Sequence, residues 1–360
     1  MVTRVAKKLN LKKYTDLLYN SQVLEDVLPR AFTKRQQVTR LITPVNYEPH
    51  YASYTAGIAE PCWDMQDRGG KTWRAAMCLM AVEALGKDPS TALPLAGACE
   101  LIHNGSLMVD DIEDASLVRR GKPCSYLIYG TDLTINAGTY LYFAGQAAID
   151  SVPVPVDRKL KMHQAFMQEL LALHLGLCSD IKWSKLKGWL PSEDEYYQML
   201  SFKTSIIVRF AMRQAGLFAG CDQRTLDALV NYGDKFGIAF QIKDDLLNLE
   251  SADYAKTRSY IGEDITEGKR TVIVLRAAQQ LNPAKSRRLL EILDLKTSDL
   301  AVVNEALALI RETDAMQYAK MKAETFLHDS WAIVDPLLPE SEAKDQLLAL
   351  ASYLVNRSGY

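Results

Sequence analysis

The chain has 360 residues, 48% of them apolar and 24% charged, with a formal net charge of −2. This is ordinary globular composition with ample length for a core, and the near-zero charge excludes any global nucleic-acid or polyanion signature. No run of about 18 apolar residues is present to span a membrane.

In chain order, Arg4, Lys7, Lys8, Lys12 and Lys13 make the N-terminus basic. The stretch is poor in serine and has no hydrophobic signal core, so it does not read as a transit peptide, and a cytoplasmic protein is expected. The six cysteines (Cys62, Cys78, Cys99, Cys124, Cys178, Cys221) form no CxxC pair and read as reduced core residues. At Gly69-Gly70-Lys71-Thr72-Trp73-Arg74 a glycine pair leads into an apolar helix, Ala75–Leu85, which places Lys71 and Arg74 in its first turn. Cations oppose the helix dipole there, whereas free N–H groups with two cations suit a phosphate.

The next helix carries Asp110-Asp111-Ile112-Glu113-Asp114. Residues four apart share a helix face, so Asp110 and Asp114 form a chelating pair, with Leu107 and His103 on the same stripe and Asp111 turned about 100° away. Leu101, Gly105, Met108, Ile112 and Ala115 form the apolar face. Arg119-Arg120-Gly121 follows at once, and guanidinium is suited to bidentate phosphate recognition. A helix through Leu141–Ala148 precedes a loop marked by Pro153 and Pro155. Ser192-Glu193-Asp194-Glu195 is a capping box opening a helix expected to run past Lys203, a cation in apolar text with no obvious local partner.

Asp222 caps a further helix, expected to reach about Leu249, on which Gly237, Gln241, Asp244 and Asn248 make a polar stripe. Asp264, Lys269 and Arg270 form a last charged cluster, which alone reads as an exposed loop, and Asn282-Pro283 marks another loop. No alternating strand text appears, so the fold expected is all-α, a large single-domain bundle of ten or more helices. One acidic cluster alone reads as a solvated helix face. Two in one chain, each with basic companions, read as the halves of one site for a hard cation with oxygen ligands.

LIHNGSLMVDDIEDASLVRRGKP, followed by IYG, TINAGTYLYF, LALH, FKTS, FQIKDDLLNL and EDITEGK, resembles the trans-isoprenyl diphosphate synthases in order, closest to the eukaryotic-type geranylgeranyl diphosphate synthases. The resemblance runs from about Gly69 to Lys269. It implies a helical bundle around a central cavity, with residues 1–60 as an N-terminal helical extension on a synthase domain of residues 61–360. It further implies a homodimer that condenses isopentenyl diphosphate with an allylic prenyl diphosphate.

By the same resemblance Asp110 and Asp114 hold magnesium from one side and Asp244 from the other, with Asp111 and Asp245 in support. Lys71, Arg74, His103 and Arg120 bind the diphosphate of isopentenyl diphosphate, and Arg119 that of the allylic substrate. Lys203, Thr204 and Gln241 line the allylic pocket, Lys203 and Lys269 offset charge on the leaving diphosphate, and Arg258 stands for the family's lysine. Gly105 and Ser106, both small, leave a passage open for the growing chain. Tyr142, Phe143 and His174 build its floor, which implies a twenty-carbon product.

Departures from the family pattern are Thr72 for a basic residue, Ala75 for proline, Leu177 for glutamine and Asn248 for the last aspartate. A class I terpene cyclase and a non-catalytic partner subunit are the competing functions. Retention of Lys71, Arg74, His103 and Arg120 argues against a cyclase, and two intact acidic motifs argue against the subunit.

Overall fold

Helical text bordered by prolines folds as helices over most of the chain described by the computed structural model, residues 9–43, 45–250 and 262–357. The first half contains α1 (Leu11–Tyr19), α2 (Val23–Val27), α3 (Arg35–Thr39), α4 (Tyr51–Tyr54), α5 (Glu60–Asp67), α6 (Trp73–Ala84), α7 (Leu93–Glu113), α8 (Ser125–Tyr129) and α9 (Thr131–Asp150). Then come α10 (Val156–Trp183), α11 (Glu193–Lys203), α12 (Ile206–Ala219) and α13 (Gln223–Glu250), and helices at Glu263–Glu267, Val272–Gln280, Pro283–Leu295, Leu300–Arg311, Ala315–Val334 and Glu342–Asn356.

The chain divides into two compact units that interleave in sequence. One comprises residues 1–167, 210–226 and 338–347, and the other residues 168–209, 227–337 and 348–360. Within the first unit α1 packs on α6 and α7: Tyr14, 1% exposed, donates its hydroxyl to Glu83 Oε2 on α6 at 2.7 Å. In the same unit α7 lies along α9 at backbone contact. A Cβ on Gly105 would stand 2.6 Å from the Gly138 carbonyl oxygen, so only glycine permits this approach.

Sequence signals place several ends well. Ser192 Oγ accepts from the Glu195 N–H at 3.2 Å while Glu195 Oε2 accepts from the Ser192 N–H at 2.7 Å, and Asp222 Oδ1 accepts from the Thr225 N–H at 2.8 Å. Asn282 is an N-cap rather than plain loop: its Oδ1 accepts from the Lys285 N–H at 3.0 Å, with Pro283 in the first turn. One strand pair escaped notice, Val118–Arg119 against Lys122–Pro123. Arg120 and Gly121 turn it, both at positive φ, 53° and 75°.

The helix expected to continue past Lys203 stops there. Thr204 and Ser205 break it before α12, and the Ser201 carbonyl freed by the break accepts from Arg209 Nη1 at 2.9 Å. The break is held by backbone. A Cβ on Gly176 of α10 would meet Lys203 N at 2.4 Å, and one on Gly237 of α13 would meet Ser205 Cα at 2.4 Å. Cys62, Cys78, Cys99 and Cys124 are buried thiols as expected, but Cys178 is exposed on α10 and Cys221 is half-buried.

Candidate active site

In the first unit the Arg119-Arg120 hairpin sends its two guanidiniums to different partners. Arg119 Nε donates to Asp111 Oδ1 at 2.8 Å, and its Nη2 stands 3.8 Å from Asp110 Oδ2. Asp111 is 1% exposed, turned off the stripe as the helical period requires. Asp110 and Asp114 remain part-exposed, with the Asp114 N–H on the Asp110 carbonyl at 2.9 Å at the end of α7.

Arg120 turns the other way. It donates to the Met65 carbonyl at 3.1 Å and to Asn104 Oδ1 at 2.9 Å, and its guanidinium lies 3.2 Å from where a Gly70 Cβ would be. That contact brings Arg120 onto the Gly69–Lys71 turn. Arg74 Nη1 donates to His103 Nε2 at 3.2 Å, and because a guanidinium cannot accept, His103 carries its proton on Nδ1. Burial, then the nearby Arg74, Arg120 and Arg119, hold His103 well below the usual histidine range, so it stays neutral. Arg74, His103 and Arg120, with the Gly-Gly-Lys71 turn, thus gather as the sequence predicts.

Three residues that sequence reasoning missed complete this cluster. Asn104 Nδ2 donates to Gln66 Oε1 at 2.7 Å. Glu100, 4% exposed, accepts from the Ala75 backbone N–H, and burial, opposed by Arg74 and Arg120, raises its carboxyl. A signal existed: Glu100 lies three residues before His103 and four before Asn104, on adjoining positions of one helix surface.

In the second unit Asp245 is 4% exposed and accepts from Tyr196 Oη at 2.7 Å and Gln241 Nε2 at 2.9 Å. Burial pushes its carboxyl up to about 6 against the pull of those bonds. Thr204 Oγ1 donates to Gln241 Oε1 at 3.2 Å, so Thr204, Gln241 and Asp245 form one chain of hydrogen bonds. Lys203, expected without a partner, is paired with Asp180 of α10 at 2.5 Å, because the helix break turns its ammonium toward that helix. Lys269 is bound by Glu267 and lies 3.6 Å from Asp264 Oδ1. Arg270 lies in the connection between the helices Glu263–Glu267 and Val272–Gln280, yet it is buried rather than exposed and donates to the Trp189, Gly268 and Leu186 carbonyls.

Asp244 carries a partner that no motif announced, the buried Arg357 near the C-terminal end, whose guanidinium also lies 4.5 Å from the Phe240 ring centroid. Asn248 accepts from the Asp264 N–H at 3.2 Å and so fixes the turn into Glu263–Glu267, which gives the amide in place of the last aspartate a structural task. Arg258 lies outside the described residues. Among those residues no group of three or more His, Cys, Asp or Glu side chains is already gathered for a metal. Asp110 and Asp114 in the first unit and Asp244 in the second each offer carboxylate oxygens, the donor type that hard divalent cations take.

The residues expected to set chain length sit in different surroundings. Gly105 is buried against the α9 backbone. Phe143 is 60% exposed and His174 is exposed, each following its helix period onto the outer face. Tyr142, 5% exposed, does face inward, and Asp110 and Glu113 add to the burial that raises its phenol. Ser106 is half-buried, its hydroxyl on the His103 carbonyl at 2.8 Å.

No helix among the described residues is long and apolar enough to cross a membrane. Residues 55–310 match the polyprenyl synthetase family. A geranylgeranyl pyrophosphate synthase of Gibberella zeae is 33% identical over 312 residues, 86% of this chain and 81% of that protein. A geranylgeranyl pyrophosphate synthase of Dictyostelium discoideum is 32% identical over 265 residues, 74% of this chain and 83% of that protein. The crystal structure of a geranylgeranyl pyrophosphate synthetase from Pyrococcus horikoshii Ot3 aligns with a TM-score of 0.80 at 26% identity, covering 96% of this chain and 99% of that one. With two acidic motifs, a separate cation cluster and a match over most of its length, the chain belongs to the polyprenyl synthetase family, has the all-α isoprenoid synthase fold, and is a prenyltransferase.

Proposed function

We propose that this prenyltransferase condenses isopentenyl diphosphate with an allylic prenyl diphosphate and releases geranylgeranyl diphosphate. The observation that carries the two-substrate scheme is the cluster of Arg74, His103 and Arg120 around the Gly70-Lys71 turn, which is separate from the carboxylates of Asp110 and Asp114. A cyclase acting on one diphosphate has no use for it. Magnesium, held by Asp110, Asp114 and Asp244, would offset charge developing on the leaving oxygens.

The protein's own groups do the remaining work. Lys203 is fixed by Asp180 and Lys269 by Glu267, so both ammonium groups are oriented before the allylic diphosphate departs. Thr204 and Gln241 orient each other beside them, and Arg119 contributes to the allylic side. The released diphosphate takes the proton that restores the double bond. Ser106 and Tyr142 set product length.

The homodimer is part of the same proposal. Leu160, Gln164, Met167, Leu171, Leu175 and Cys178 follow one another at three- and four-residue steps along the exposed face of α10, with Leu171 64% and Leu175 60% exposed. Such a stripe on a soluble protein fits a self-complementary interface.

Purified protein is incubated with magnesium and allylic diphosphates, with and without isopentenyl diphosphate, and products are weighed by mass spectrometry. A twenty-carbon diphosphate formed only with isopentenyl diphosphate is expected, and Tyr142→Ala should lengthen it by five-carbon steps. A cyclised hydrocarbon formed without isopentenyl diphosphate, or no turnover under any condition, refutes the assignment.

A further inference from the structure

The N-terminal helix delivers a phenol to the cation cluster from outside the segment that matches the family. α1 is anchored on α6 by Tyr14 and by Lys13, whose Nζ donates to Glu83 Oε1 at 2.7 Å. The following helix, α2, is fixed on α7, where a Cβ on Gly97 would come within 2.8 Å of Val23 Cγ1. These contacts set the position of Tyr19, the last residue of α1. Its hydroxyl lies 2.6 Å from Thr72 Oγ1.

Thr72 is an unusual N-cap. Its φ of 46° is left-handed, a conformation β-branched residues rarely adopt, and its side chain makes no bond to the N–H groups of α6. The hydroxyl is engaged with Tyr19 instead, on the residue that follows Lys71 and stands two before Arg74. Two hydroxyls in one hydrogen bond carry two protons, and only one lies between them. The other has no acceptor among the described residues. Burial raises the Tyr19 phenol, and Glu100 and Arg120 both act on it, so it belongs to the same electrostatic cluster. Glu100 is a buried carboxylate of that cluster, and the cations Lys71, Arg74 and Arg120 outnumber it.

We infer that Tyr19 and Thr72 are a substrate-binding pair that donates its second hydroxyl proton to the diphosphate of isopentenyl diphosphate. The inference rests on the two-substrate scheme proposed above. A hydroxyl bonded to a phosphate oxyanion is a charge-assisted contact, stronger than one to water or to a second hydroxyl. The pair would also make the N-terminal helix a wall of that pocket.

Tyr19→Phe removes the phenol oxygen and keeps the ring, and Thr72→Val removes the other hydroxyl at nearly constant shape. KM for each substrate and kcat are measured, together with calorimetric binding of isopentenyl diphosphate alone and the melting temperature. Each variant should weaken isopentenyl diphosphate by roughly tenfold in KM and in direct binding, with a much smaller change for the allylic substrate. Thr72→Ser should regain the affinity Thr72→Val loses, and the double variant should be about as weak as the weaker single one, since both act through one bond. Unchanged affinity in Tyr19→Phe at unchanged melting temperature, or equal losses for both substrates, overturns the inference. Lys71→Ala is run alongside: an unchanged KM there refutes the pocket itself, whereas a raised KM with a silent Tyr19→Phe refutes the hydroxyl pair alone.

Discussion

At the first acidic motif Asp111 is buried against the Arg119 guanidinium, whereas at the second Asp245 is buried against the Tyr196 phenol and the Gln241 carboxamide. The exposed neighbours differ in the opposite sense. Arg119 stands 3.8 Å from Asp110, while Asp244 is directly bound by Arg357. The first motif therefore keeps its arginine behind the chelating face and the second keeps one in front of it. Charge is neutralised by a cation in one place, and in the other burial raises the carboxyl to about 6. Identical dipeptides thus acquire different electrostatics from partners distant in sequence.

The largest expected effect tests what the motifs share. Asp110→Ala and Asp244→Ala should each lower kcat by roughly a hundredfold to a thousandfold, the scale of losing one preorganised charge contact in a transition state. Only Asp244→Ala should also lower the melting temperature, because it strips the carboxylate from a buried guanidinium, whereas Asp110→Ala leaves Arg119 on Asp111. Full activity in either variant would remove that motif from the site.

The second test separates the buried aspartates. Asp111→Asn should cost about 3–5 kcal/mol in denaturant unfolding, the penalty for breaking a buried ion pair from one side. Asp245→Asn should cost only about 1 kcal/mol, since its raised carboxyl already disfavours the charge and its partners are neutral donors. Equal losses would show that the two burials are energetically alike.

The smallest effect concerns the guanidinium in front. If Arg357 must leave Asp244 before a cation binds there, Arg357→Ala should lower the magnesium concentration for half-maximal activity by about two- to fivefold, the worth of a modest ion pair. Metal titration followed by intrinsic tryptophan fluorescence gives an independent readout. An unaltered or higher requirement would mean that Arg357 assists the cation.

The parts legible in the sequence are those governed by local rules. Helix period, the Ser192 and Asp222 caps and the order of the motifs identified an all-α chain, and the family resemblance grouped Arg74, His103 and Arg120, which lie near one another in the structure. Asp180, Arg357, Tyr196 and Tyr19 escaped because each meets its partner across 23 to 113 residues, and no spacing rule reaches that far. Phe143 and His174 stand on outer helix faces, and Gly105 serves the close approach of two helices, placements that residue size alone does not announce.

The break between α11 and α12 is held by main-chain contact. Lys203 and Ser205 touch Gly176 and Gly237 through main-chain atoms, so the position of Lys203 and Thr204 is set by backbone resting on backbone. A side-chain core can rearrange its rotamers around a lost or added methyl group. Two main chains in contact have no rotamers to rearrange. The ammonium of Lys203 and the hydroxyl of Thr204 are therefore insulated from drift in the surrounding apolar residues, and sequence divergence can proceed around them without shifting either group.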